Sequence, residues 1–115
     1  RPLIWAVCSN PGKYPDPELR TAATLALAKF MMVSSDICEE NLQLIFTILE
    51  KSKEAVIRGN TVIALGDLSF RFPNQLEPWI PRLYARLRDD SPKVRQNTLT
   101  ILTHLVLNDM VKVKG

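Results

Sequence analysis

Histidine, cysteine and glycine are scarce in this sequence, and their scarcity removes most kinds of catalytic or metal site. Its 115 residues include one histidine, two cysteines and four glycines. Cys8 and Cys38 belong to no CxxC motif and have no neighbouring histidine, so the pattern indicates neither a zinc site nor a disulfide framework. We expect two reduced thiols in apolar helices, as in a cytosolic or nuclear protein.

The histidine and the glycines carry no recognisable chemistry either. His104 lies in a predicted helix, and no serine, cysteine or carboxylate has a spacing that marks it as a catalytic partner. Gly59 and Gly66 form no phosphate-binding loop with the other two glycines, and we expect them to allow close contact between helices. The sequence therefore predicts no enzyme, no cofactor, no metal and no small-molecule substrate.

Long apolar runs and a strong charge imbalance are also absent. No apolar stretch reaches the roughly 20 residues that cross a bilayer, so we expect no membrane contact, and the first residues do not resemble a signal peptide. Because the sequence lacks an initiating methionine, we interpret it as a piece of a longer chain. The net charge of +3 permits contact with nucleic acid but does not require it.

What the sequence does contain is an internal repeat. Three segments align without gaps: DPELRTAATLALAKF from Asp16, EAVIRGNTVIALGDL from Glu54 and SPKVRQNTLTILTHL from Ser91. Each has an arginine after an apolar residue and a leucine seven residues later, and the arginines are 38 and 37 residues apart. These positions are Arg20, Arg58 and Arg95, followed by Leu27, Leu65 and Leu102. Because residues seven apart share one helix face, each segment predicts an amphipathic helix.

Capping residues mark where these three helices begin. Asp16-Pro17 and Ser91-Pro92 each place a capping side chain before a proline in the first helical position. Glu54 takes the equivalent position in the middle copy.

A second helix is predicted before each of the last two copies. One runs from about Asp36 to Lys51, with an acidic start and a basic end that suit the helix dipole. The other runs from about Pro78 to Arg88, with Glu77 as its cap. The first residues of the sequence would be the end of a third such helix.

A two-helix unit with a period of 37 to 38 residues is typical of HEAT and armadillo proteins. We therefore predict an all-α fold, a HEAT-type α-α superhelix of about three stacked helix pairs. The chain would be a single fragment of a longer solenoid. Its repeats would cover approximately residues 1–33, 36–71 and 74–108, with residues 109–115 leading into the next repeat.

Basic residues are the remaining candidates for function. We interpret the repeated arginines and leucines as structural, and we expect the arginines to pair with carboxylates such as Asp67, Asp89 or Asp90. Other basic residues could form an edge that contacts DNA phosphates or a partner protein. The alternative is a solvated helix face with ion pairs inside the repeat. This basic edge consists of Arg82, Arg86, Arg88, Lys93, Lys112 and Lys114.

The longest stretch with a specific resemblance is RFPNQLEPWIPRLYARLRDDSPKVRQNTLTILTHLVLNDMVKVKG, from Arg71 to Gly115. It resembles the conserved HEAT region of the condensin complex subunit 1 family, the D-type regulatory subunits of condensin I. The upstream stretches DPELRTAATLALAKFM and VIRGNTVIALGDLSFRFPN are similar to the same family. The related condensin II subunit is similar over the same repeats.

The resemblance implies a non-catalytic scaffold that binds the kleisin subunit and the SMC ATPase subunits of condensin. It further implies a contribution to DNA contact during mitotic chromosome condensation, in the nucleus and on chromosomes, with a cytoplasmic pool. The repeat pattern alone also fits a transport or trafficking adaptor, karyopherin-like or of a vesicle coat, which would bind protein cargo.

Overall fold

The structure is a computed structural model that describes Cys8 and residues 16–108. Within that part of the chain all regular secondary structure is helical, which confirms the predicted all-α class. The long helices are α1 (Pro17–Met31), α2 (Ser35–Lys51), α3 (Ala55–Arg71) and α6 (Pro92–Leu107). Between α3 and α6 lie short helical pieces: α4 (Pro73–Leu76), a 3₁₀ turn (Glu77–Trp79), α5 (Ile80–Tyr84) and a second 3₁₀ turn (Ala85–Arg88).

The helices pack as two layers. One layer consists of α1, α3 and α6, in which α3 contacts α1 on one side and α6 on the other. The other layer consists of α2, which packs on α1 and α3, and of the short pieces at residues 73–88, which pack on α6. This arrangement of neighbouring helix pairs is that of an α-helical repeat.

The predicted caps are present at two of the three repeated helices. Asp16 accepts a hydrogen bond from the backbone N–H of Glu18 at 3.0 Å, and Ser91 accepts one from the N–H of Val94 at 3.4 Å. Glu54 precedes α3 in the extended conformation but makes no capping hydrogen bond. Its carboxylate pairs instead with the guanidinium of Arg20 at 2.9 Å.

The helix predicted from about Pro78 to Arg88 is wrong at its beginning. Helical structure starts at Pro73, and Glu77 lies inside the helical run, with φ −52° and ψ −48°, instead of capping it. Pro78 and Pro81 have no N–H to donate, so the i to i−4 pattern cannot continue through them. Ile80 donates to the carbonyl of Glu77, three residues back, and this spacing is the 3₁₀ pattern.

The repeated leucines Leu27, Leu65 and Leu102 are all buried between the layers. Four apolar residues of α2 are buried with them: Leu42, Ile45, Phe46 and Leu49. From residues 73–88, Leu83 is buried, whereas Trp79 and Leu87 pack partly buried against the same core. A period of 3.6 residues therefore locates the core faces of the regular helices.

The two glycines of α3 lie against side chains of α6 and allow the predicted close contact between the helices. A Cβ atom on Gly66 would be 2.6 Å from Cδ1 and 2.9 Å from Cγ2 of Ile101. A Cβ atom on Gly59 would be 3.1 Å from Nδ2 of Asn97, whose amide donates to the Gly59 carbonyl at 3.2 Å. Because Gly66 has no side chain, Ile101 can fill the seam between the two helices at this point.

Gly66→Val is expected to lower the free energy of unfolding by about 1–3 kcal/mol, because the new methyl groups would overlap Ile101. Urea denaturation followed by helix content measures the loss. Gly59→Ala is the matched control, since only the end of a flexible side chain opposes it and alanine gains about 1 kcal/mol of helix propensity. The double variant Gly66→Val/Ile101→Ala should recover part of the loss. Equal stability of the two single variants would contradict this seam.

Candidate interaction surfaces

Arg58 is the centre of a buried ion-pair cluster at the turn between residues 88 and 92. Its Nε and Nη2 atoms donate to both carboxylate oxygens of Asp89 at 3.0 Å, and Nη2 also donates to Asp90 at 2.8 Å. Its Nη1 atom donates to the carbonyls of Ser52 and Lys53 at 2.8 and 3.2 Å. All five N–H donors of a guanidinium are satisfied in this way. Arg58 thereby joins the turn of its own helix pair to the turn of the next one.

The other repeated arginines make related contacts. Arg95 donates to the carbonyl of Asp89 at 2.7 Å, six residues back, as Arg58 does to Ser52. Arg20 reaches forward to Glu54 at the start of α3. Two of the three carboxylates predicted as partners, those of Asp89 and Asp90, do contact an arginine, whereas Asp67 is exposed and pairs with none of the three.

The carboxyl group of Asp89 is held in its charged form. Burial by itself would raise its pKa, but hydrogen bonds from Arg58 and from the backbone of Ser91 outweigh burial and leave the pKa below its ordinary value. The pKa of Glu50 is also lowered, chiefly because Arg82 donates to its carboxylate. Both carboxylates therefore stabilise the fold only while they are ionised.

Acid is expected to destabilise the fold through these two groups. A lowered pKa means that the stabilisation is fully present above the ordinary carboxyl pKa of about 4 and is lost as pH falls through the lowered value. The urea midpoint should be nearly constant between about pH 7 and pH 5 and should fall below about pH 4. Asp89→Asn should lower the midpoint at neutral pH and make the acid loss shallower. An acid loss as steep in that variant as in the unchanged protein would rule out the role of Asp89.

Arg82, the first residue of the predicted basic edge, is part of a stacked cluster. Its guanidinium makes two hydrogen bonds to the Glu50 carboxylate, at 2.9 and 2.7 Å. It also lies 5.0 Å from the ring centroid of Trp79 and 5.4 Å from that of Phe46. The two rings stack on each other at 5.0 Å. Arg82 is therefore oriented by cation–π contacts and a two-bond ion pair.

The remaining members of the basic edge divide into three groups. Arg86 donates to the Asp89 carboxylate at 3.3 Å. Arg88 and Lys93 are exposed and have no ion pair in the described part of the chain. Lys112 and Lys114 lie outside the described residues. The structure thus leaves only Arg88 and Lys93 as described members with an uncommitted charge.

Sequence reasoning missed two further cations at the same edge. Lys51 is the last residue of α2 and Lys53 lies in the turn between α2 and α3. Lys51 is 37 residues before Arg88. Both lysines are exposed, and no ion pair involves them among residues 16–108. The repeat spacing was the signal that could have found them, since equivalent turns of stacked repeats lie side by side.

A second surface feature is an apolar groove between α1 and α3. Its volume is about 180 Å³. The groove is lined mainly by aliphatic side chains, with one cation, one carboxylate and one amide. The lining residues are Leu25, Ala28, Lys29, Met32, Asn60, Ile63, Ala64 and Asp67.

The two thiols are not part of either surface. Cys8 and Cys38 are free, and burial raises the pKa of each to about 11, which keeps them protonated at neutral pH. In the part of the chain that the structure describes, no cluster of side chains has the composition of a metal site. No described helix combines the length and apolar character needed to cross a membrane.

The amino-acid sequence matches known proteins along nearly its whole length. The family model described as non-SMC mitotic condensation complex subunit 1 matches residues 56–115. Condensin complex subunit 1 of Xenopus laevis is 62% identical over 114 residues, which cover 99% of this chain. The Homo sapiens protein of the same name is 54% identical over 114 residues, again 99% of this chain.

A more distant relative lies outside condensin complex subunit 1. Condensin-2 complex subunit D3 of Mus musculus is 30% identical over 97 residues. These residues are 84% of this chain and 6% of that relative. The chain spans 8% of the length of each of the frog and human relatives. The match of the family model over more than half of the chain, together with these identities, shows that the chain belongs to the condensin complex subunit 1 family.

Proposed function

We propose that this chain is a non-catalytic scaffold segment of a condensin subunit. In this role it binds the kleisin subunit and the SMC ATPase subunits and contributes to mitotic chromosome condensation, in the nucleus and on chromosomes, with a cytoplasmic pool. The observation that carries the proposal is the 62% identity to a condensin complex subunit 1 over 99% of the chain. Stacked helix pairs tied together by Arg58 suit a scaffold, because solenoids present extended surfaces to partners.

Affinity purification of the full-length parent protein from mitotic extract tests this proposal. We expect a kleisin and both SMC ATPases to be recovered together with it. A parent protein that carries Arg58→Met is the matched comparison, since loss of the buried cluster should reduce that recovery. Recovery of transport cargo or coat proteins in place of the SMC ATPases would favour the adaptor alternative and overturn the scaffold proposal.

We further propose that the turn edge of the solenoid contacts DNA phosphates. Its described cations with uncommitted charge are Lys51, Lys53, Arg88 and Lys93, and Lys112 and Lys114 remain candidates from the sequence. Arg82 and Arg86 contribute less, because Glu50 and Asp89 already neutralise them. Cations along one edge attract the phosphate backbone, and such contacts position a protein on DNA without reading its sequence.

Arg88→Ala/Lys93→Ala is expected to weaken DNA binding by the assembled complex and to make that binding less sensitive to salt. Each lost phosphate contact reduces the slope of log K against log salt by about 0.9, so the double variant should lose about 1.8. A salt titration of binding to a duplex of mixed sequence measures the slope. Arg71→Ala, which removes an exposed cation at the end of α3 farthest from these turns, is the control and should leave the slope unchanged. An unchanged slope in the double variant would remove these residues from the DNA contact.

A further inference from the structure

The two seams between the repeated helices differ in one aligned position. Ile101 lies six residues after Arg95 and fills the seam between α3 and α6 against Gly66. Ala64 lies six residues after Arg58, in the equivalent position of the seam between α1 and α3. It has only a methyl group where the neighbouring seam has a whole isoleucine side chain.

The side chain of α1 that faces this position is also small, so it does not replace the missing volume. Ala28 of α1 aligns with Gly66 of α3, each eight residues after its repeated arginine. Two alanines therefore face each other across the seam between α1 and α3, and the groove of about 180 Å³ lies above them. A cavity of roughly 150 Å³ holds a benzene-sized group, so this groove has room for one aliphatic side chain.

The walls of the groove are apolar and open to solvent. Leu25 on α1 and Ile63 on α3 are 40% and 44% exposed, and Met32 completes the apolar lining. An aliphatic side chain inserted between Leu25 and Ile63 would remove apolar surface of both residues from water, which is favourable.

The rim of the groove carries opposite charges on its two sides. Lys29 on α1 and Asp67 on α3 each lie nine residues after the repeated arginine of their helix, so they occupy equivalent positions on adjacent helices. Both are exposed, and neither has an ion pair in the described part of the chain. Packed helices have axes about 8–10 Å apart, which is the span of about three residues of extended chain.

We propose that this groove binds a segment of another protein, which inserts one aliphatic side chain between Ala28 and Ala64. An acidic residue of the segment lies beside Lys29, and a basic residue lies beside Asp67. Asn60 on the groove wall supplies an amide that bonds the backbone of the segment. The charge pattern fixes the direction in which the segment crosses from α1 to α3.

Protein is the occupant that the chemistry of the groove favours. A nucleic acid would place phosphates beside Asp67 and over aliphatic side chains, and both contacts are unfavourable. The groove is separate from the basic edge at the turns. The inference rests on the proposed scaffold function, because it names where a partner segment of the complex is held.

Zero-length carbodiimide cross-linking of the assembled complex, with the full-length parent, tests the groove. The reagent joins an amine to a carboxylate that it contacts, so we expect Lys29 to be linked to an aspartate or glutamate of another polypeptide. Peptide mass spectrometry should locate that acid within a few residues of an aliphatic residue. A link from Lys29 to Asp67 of the same chain, to a second copy of this chain, or to no carboxylate would overturn the proposal.

Ala64→Ile supplies the decisive variant, because it fills the groove in the way that Ile101 fills the next seam. It should reduce the Lys29 cross-link at least tenfold. Thr100→Ile is the matched control, since it adds the same side chain at an exposed position of α6 and should leave the cross-link unchanged. An undiminished cross-link in Ala64→Ile would contradict occupation of the groove.

Asp67→Lys is a second variant, which should fold normally because Asp67 is exposed and the new side chain is not buried. It should also reduce the cross-link at least tenfold, and reversal of the basic residue in the identified segment should restore it. A cross-link that Asp67→Lys leaves undiminished would contradict the charge pairing. If the kleisin and SMC subunits still co-purify while no Lys29 link forms, the groove proposal fails and the scaffold proposal stands. If they do not co-purify, the scaffold proposal itself fails.

Discussion

Replacing Arg58 with methionine should lower the free energy of unfolding by about 3–5 kcal/mol, the range for removing one partner of a buried ion pair. Asp89 would keep a buried charge without its two hydrogen bonds from Arg58. The carbonyls of Ser52 and Lys53 would lose their donor as well. The substitution preserves most of the apolar stem, so the loss reports on the ion pairs more than on packing.

Hydrogen exchange of the amides of α3 and α6 in the parent protein measures this effect, because it reports the stability of one region within a long solenoid. Arg88→Met is the matched control, since Arg88 is exposed and has no ion pair among the described residues. The double variant Arg58→Met/Asp89→Leu should be more stable than Arg58→Met alone, because it leaves no buried charge. A loss below about 1 kcal/mol in the single variant would be that of a surface pair and would contradict the buried cluster.

The second large effect is expected for Phe46→Ala, with a loss of about 3–5 kcal/mol. Phe46 is fully buried and stacks on Trp79, with Arg82 above both rings. Removing the ring leaves a cavity in the core and also takes away part of the surface that orients Arg82 toward Glu50. The joint between α2 and residues 73–88 should therefore loosen.

Urea denaturation of the chain, followed by helix content, measures the effect of Phe46→Ala. Phe70→Ala is the control, because the same side chain is 39% exposed on α3 and its truncation leaves no closed cavity. We expect a loss at Phe70 of less than about 1 kcal/mol. Similar losses at the two phenylalanines would mean that the stacked cluster is not a centre of stability.

The regular helices were predictable because their signals are local. The repeated arginines and leucines, together with Asp16-Pro17 and Ser91-Pro92, are enough to locate α1 and α6. Residues 73–88 were harder, since Pro78 and Pro81 allow helical backbone while preventing a continuous hydrogen-bond pattern. A chain of α and 3₁₀ turns has no periodic sequence signature of its own.

Contacts between repeats could be predicted only in part. Asp89 and Asp90 were found as partners because they lie in the turn one repeat after Arg58. The pairing of Arg82 with Glu50 joins residues 32 positions apart on different elements, and no spacing rule indicates it. This pairing removes Arg82 from the uncommitted charge that the sequence had assigned to the basic edge.

The groove between α1 and α3 corresponds to a difference between the aligned repeats, which was not used to predict it. The aligned copies have alanine at Ala64 and isoleucine at Ile101, and this difference in volume becomes a groove only when adjacent helices are packed side by side. Its depth depends on how far α1 lies from α3, which packing determines and the periodicity of one helix does not.

A lysine cross-linking map of the complex is the most direct test of the proposal that this chain is a scaffold segment within condensin. The map would use the full-length parent, assembled with its partners on DNA. We expect cross-links from this chain to the kleisin and SMC subunits, and reduced reactivity of Lys51, Lys53 and Lys93 when DNA is added. Cross-links from these lysines that stay within their own chain, with reactivity that DNA does not change, would contradict it.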